Sequence, residues 1–60
     1  MQIAGVHPNS FRPNVLATVL GVGVIKPEGL EPRDVYIAQY DDGVIDLIPM
    51  VDKDNYRLEQ

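Results

Sequence analysis

Residues 35–49 read Val-Tyr-Ile-Ala-Gln-Tyr-Asp-Asp-Gly-Val-Ile-Asp-Leu-Ile-Pro, and this stretch decides the fold class. Two runs rich in β-branched and aromatic residues flank an Asp42-Gly43 corner, and Asp-Gly supplies the positive φ that tight hairpin turns need. The segment predicts a β-hairpin with strands over 35–40 and 44–49. A two-residue loop at Asp42-Gly43 pairs Tyr40 with Ile45, Ala38 with Leu47 and Ile37 with Ile48, whereas a three-residue loop with a bulge slides every pair by one and swaps faces. The two-residue register is favoured. It sets the polar Gln39 and Asp46 opposite one another and leaves Tyr36, Ala38, Tyr40, Ile45 and Leu47 on one face. Pro49 then ends ladder pairing on one side.

Upstream of the hairpin, residues 26–34 hold Pro27, Pro32 and Gly29 and read as a connection, with Leu30 expected to plug the edge of the core. Before them lies the run Val15 to Ile25, rich in β-branched residues, whose even positions Leu16, Leu20, Val22 and Val24 predict one continuous apolar face. Gly21 and Gly23 inside that strand point to a bulge, a bend or the close approach of another backbone. Residues 7–14 carry two turn clusters and read as loop, and Gln2 to Val6 as a short edge strand. Downstream, Asp52 to Asn55 form a polar turn with room for a single 3₁₀ turn, and Tyr56 to Glu59 alternate as a closing strand. Repeats, linkers and low-complexity tracts are absent, so residues 1–60 form one domain.

The 60 residues are 45% hydrophobic and 23% charged, with no cysteine and no tryptophan. That is too apolar for a disordered tail and too short for two cores. A chain of this size buries only roughly 60% of its unfolded surface, so it relies on a compact β core or on self-association. The formal charge of −4 is uneven. Residues 1–30 hold Arg12 and Lys26 against Glu28, a balance of +1, and residues 31–60 hold Arg33, Lys53 and Arg57 against eight acids, a balance of −5. An acidic surface repels phosphate backbones and no basic stripe is present, which argues against nucleic acid as a partner. The eleven apolar residues of Val15 to Ile25 fall short of the ~20 needed to span a bilayer, and their flanks do not suit a signal peptide. The expectation is a cytoplasmic protein with no membrane partner.

Four or five short, strongly bent antiparallel strands, one long irregular connection, one tight hairpin and a last turn before a terminal strand predict an all-β chain folded as a small barrel. Val35 to Pro49, with its Tyr40-Asp41-Asp42-Gly43 turn and its Ile48-Pro49 step, resembles the central hairpin of SH3-like barrels of the Tudor and agenet type. The resemblance covers fifteen to twenty residues and implies a binding module that holds methylated lysine or arginine in an aromatic cage. The position before the turn glycine, often aromatic in Tudor domains, is Asp42 here. The run Val44 to Pro49 is also similar in length and placement to the strand-proline-turn pattern of plasmid-type dihydrofolate reductases, which implies a tetramer around a shared pore. The polar and tyrosyl residues of such pores fall on Asp46 and Ile48, so that chemistry does not carry over.

His7 is the only histidine, and with no cysteine and only Ser10 nearby it lacks the partners of a nucleophilic triad. Asp41, Asp42 and Asp46 could gather at one end of the hairpin, and Asp52, Asp54 and Asn55 begin like a calcium loop, but Tyr56 stands where that loop needs Asp or Asn. Turn formation explains both acidic groups with fewer assumptions. Gly21-Val22-Gly23 lies inside an apolar strand and is no phosphate loop. No catalytic residue, metal ligand or cofactor is therefore assigned.

The remaining functional weight rests on the aromatic residues. Tyr36 and Tyr40, two apart on one strand, predict a shallow aromatic patch rimmed by Asp41, Asp42 and Arg33, with Tyr56 nearby. The rings could equally cover the core with their hydroxyls toward water. The function expected is non-covalent: a self-associating interaction module that binds a protein or peptide partner through this aromatic and acidic hairpin surface. Two rivals stand beside it. One is a minimal enzyme built at a subunit interface around His7 or the aspartates; the other is a small acidic inhibitor, encoded by a mobile element, that occupies a basic site on a host protein.

Overall fold

A computed structural model describes all residues from Met1 to Gln60 and contains five β-strands and one short 3₁₀ turn. The strands are β1 (Gln2–Gly5), β2 (Ala17–Ile25), β3 (Arg33–Gln39), β4 (Ile45–Pro49) and β5 (Tyr56–Glu59), with the 3₁₀ turn at Lys53–Asn55 leading into β5. All pair antiparallel in one sheet of order β4-β3-β2-β1-β5. The chain is thus all-β, as its hairpin predicts. β4 and β5 do not pair with each other, so the hydrogen-bonded sheet does not close into a barrel.

The hairpin adopts the register of a three-residue loop, not of a two-residue one. Ala38 faces Asp46, Ile37 faces Leu47 and Tyr36 faces Ile48, one position off the favoured pairing. The loop is Asp41-Asp42-Gly43, closed by the Tyr40 N–H donating to Val44 O and the Gly43 N–H donating to Tyr40 O, both at 2.9 Å. A two-residue type I′ turn needs positive φ at both central residues, and only Gly43, at φ 90°, adopts it. Asp42 does not take a positive φ, and its Oδ1 accepts the Val44 N–H at 3.2 Å. The slip turns Ile45 and Leu47 outward and brings Asp46 onto the face of Ala38 and Tyr40.

The strand β2 is long enough to serve two neighbours. Its first residues, Ala17 and Thr18, pair with β1, and Thr18 to Ile25 pair with β3. The register shifts by one between Val19 and Gly21, so Leu20 forms the irregularity that the glycines predicted. The expected apolar face is not buried, however. Leu20, Val22 and Val24 are all exposed, because β1 ends its pairing before them and the sheet does not wrap back over them. Leu30 is exposed as well and plugs nothing. β3 begins two residues earlier than predicted, at Arg33, since Arg33 and Asp34 still find partners in Ile25 and Val24.

Only six residues are buried: Ile3, Ala4, Ala17, Val35, Ala38 and Tyr40. Ile3, Ala17, Ala38 and Tyr40 form one cluster, with Val19, Tyr36, Ile48 and Tyr56 packed against it. Small residues let the loop between β1 and β2 fold close over this cluster. At Gly5 an added Cβ would lie 2.6 Å from Ser10 Oγ and 2.7 Å from Ser10 Cβ, so only glycine admits the loop there.

Candidate functional site

The loop over residues 6–16 carries Phe11 and Arg12 across to the hairpin. The Arg12 guanidinium lies 4.7 Å from the centre of the Tyr40 ring and 5.1 Å from that of Phe11. It also meets Asp42 Oδ2 at 2.8 Å. The Phe11 and Tyr40 rings are 6.0 Å apart and tilted by 56°. A cation above the face of one ring and in contact with a second is a favourable quadrupole arrangement, and a planar guanidinium suits it better than an ammonium. The same ion pair acts on both of its members: the hydrogen bond from Arg12 holds the Asp42 carboxyl below its ordinary range, and that bond raises Arg12.

Tyr40 is the centre of this arrangement, and it is only 5% exposed. Its hydroxyl donates to Asp46 Oδ2 at 3.2 Å. Burial first, and then the charge and hydrogen bond of Asp46, push the phenol above its ordinary value. Tyr36 lies further along the same face, half-buried, where it meets Tyr56 edge-on with centroids 5.7 Å apart and planes at 77°. The Tyr56 hydroxyl donates to Met50 O at 2.8 Å. Tyr56 is raised too, by burial and then by Tyr36.

Between the 6–16 loop, β4 and the 3₁₀ turn lies an open cleft of about 180 Å³. Phe11, Tyr40 and Tyr56 supply its aromatic walls, and Asp46, Asp52 and Asn55 its polar ones. No basic side chain lines it. Phe11 stands at its mouth, 63% exposed.

The predicted site residues are therefore divided. Tyr40 and Tyr56 meet at the cleft and Tyr36 backs it through Tyr56, whereas Asp42 lies outside it, paired with the Arg12 that covers Tyr40. The shallow patch becomes a deeper arrangement in which Tyr40 is covered by Phe11 and Arg12. Asp41 is exposed at the hairpin tip. Arg33 begins β3 opposite Ile25, at the far end of the strand from that tip, and does not rim the patch. Arg12 and Asp52 were not among the predicted contact residues. Arg12 sits beside an aromatic in a long loop, which is a visible signal, but nothing local marks Asp42, thirty residues on, as its partner.

The other candidates are occupied locally. His7 Nδ1 accepts the Asn9 N–H at 3.0 Å within its own turn. No trio of histidine and acidic side chains comes together in the manner of a metal site. No helix is long and apolar enough to cross a membrane. Compared with family models, curated proteins and solved structures, the chain matches none of them.

Proposed function

We propose that this chain is a small protein-interaction module whose aromatic and acidic cleft receives a basic side chain from a protein or peptide partner. One observation carries the reading. Three rings and two carboxylates line a cavity of about 180 Å³ that holds no cation of its own. That volume suits one inserted side chain rather than a whole small-molecule substrate. An arginine or lysine stem can lie along Phe11 and Tyr56 while its charged head meets Asp46 and Asp52, which pairs apolar with apolar and plus with minus. Arg12 already places a guanidinium over two of the three rings, Phe11 and Tyr40.

The architecture we propose is an SH3-like barrel related to the Tudor and agenet type. The strand order β4-β3-β2-β1-β5, a second strand shared between two halves, and a 3₁₀ turn before the last strand all support it. The work is non-covalent: Asp42 and Asp46 are engaged by Arg12 and Tyr40, and His7 by its own turn. A peptide array that varies net charge tests the proposal. Basic peptides are expected to retain the wild-type chain and to lose Phe11→Ala; equal retention of acidic and basic peptides would refute it.

A further inference from the structure

The side of β2 facing away from β3 has no strand against it beyond Val19. β1 pairs only at Ala17 and Thr18, with one further hydrogen bond from the Val19 N–H to Met1 O. An antiparallel edge of this kind leaves N–H and C=O groups free at alternate residues, ready to accept another strand. The sheet has two more open edges, but both carry residues that discourage pairing. β4 has Asp46 and Pro49, and β5 has Arg57 and Glu59. The β2 edge has neither proline nor charge, and Leu20, Val22 and Val24 stand 57%, 64% and 56% exposed along it.

The order of residues on this edge says what would cover it. Reading outward from Val22 along the open edge, glycine faces glycine (21 and 23) and Leu20 matches Val24. A two-fold interface must set residue i against j and j against i, so a second copy running antiparallel about Val22 meets apolar with apolar and glycine with glycine at every position. Charge points the same way. The chain carries −4, and two copies can approach closely only where neither is charged; no ionisable side chain lies between Asn14 and Ile25.

We propose that two copies of this chain associate through antiparallel β2–β2 pairing centred on Val22, giving a continuous run of six strands, β4-β3-β2-β2-β3-β4, from which β1 and β5 of each copy branch at the Ala17 end of β2. This surface is separate from the cleft, and its test is independent of peptide binding. Light scattering behind a sizing column, over about a hundredfold range of concentration, is expected to show the mass rise from 6.7 kDa toward twice that value. Val22→Lys and Val22→Glu each place like charges opposite one another on the axis and are expected to raise the dissociation constant at least about tenfold. Mixed one to one, the two variants are expected to recover the dimer. Val22 is exposed in the single chain, so these changes spare the core; hydrogen exchange of the wild type gives an independent reading, with the alternate amides of residues 21–24 that face away from β3 gaining protection as concentration rises. A wild type that stays at 6.7 kDa, variants that dimerise like it, a mixture that stays monomeric, or edge amides that never gain protection would each overturn the proposal.

Discussion

Arg12 stacks its guanidinium on Tyr40 at 4.7 Å, joining the loop between the first two strands to the base of the hairpin. In a chain with only six buried residues, this contact extends the core to a side chain that composition alone would place in solvent. Arg12 bonds Asp42 with its guanidinium and presents its flat face to the rings at the same time, a geometry that lysine cannot reproduce.

Acid weakens this clasp in a defined window. Asp42 has a folded pKa below its unfolded one, so its contribution is fully present above about pH 4 and is lost as pH falls through the lowered value. Melting temperatures of wild type and Asp42→Asn, compared from pH 7 downward, are expected to differ most at neutral pH and to converge in acid. A constant gap would show that the ion pair contributes nothing.

At the alkaline end the relevant group is Tyr40. Its folded pKa is raised, so its contribution holds below about pH 10 and is lost as pH rises through the higher value. Tyr40→Phe removes the hydrogen bond to Asp46 and is expected to cost about 1 kcal/mol at pH 7, by chemical denaturation. The same variant is expected to lose less stability than the wild type between neutral pH and pH 11.

Gly5→Ala drives a methyl group against Ser10, with 2.6 Å to Oγ and 2.7 Å to Cβ. Overpacking of this kind is expected to cost about 1–3 kcal/mol. Since both Ser10 atoms are in the way, Ser10→Ala leaves the clash and Ser10→Gly removes it. The double variant Gly5→Ala with Ser10→Gly is therefore expected to regain most of the loss in a double-mutant cycle.

Gly43 holds φ 90° at the last position of the hairpin loop. Gly43→Val is expected to cost about 1–2 kcal/mol and Gly43→Asn clearly less, because asparagine tolerates the left-handed region and a β-branched side chain does not. Equal losses in the two variants would place the strain elsewhere.

The elements were legible in the sequence because they depend on local chemistry. Asp-Gly marked the hairpin, the two prolines of residues 26–34 marked a connection, and Asp52 to Asn55 marked the last turn. What failed was the choice between faces. The hairpin register rests on whether one aspartate or none adopts positive φ, and a single step moves Leu47 outward and Asp46 inward. The even face of β2 looked like core because it is apolar; it is exposed because its neighbour β1 is only four residues long, which no pattern within β2 can show. At the site, the aromatic residues stood out by type, whereas the Arg12–Asp42 pair spans thirty residues and emerges only when the loop folds over the hairpin.

The most direct measurement is amide chemical-shift mapping of the ¹⁵N-labelled chain titrated with N-acetylated arginine amide and, separately, with the uncharged N-acetylated norleucine amide. Shifts from arginine amide are expected to gather at Phe11, Asp46, Asp52, Asn55 and Tyr56, and to disappear in Phe11→Ala, while norleucine amide produces much smaller ones. Shifts scattered over the surface, or equal for the two probes, would contradict a cleft built for a basic side chain.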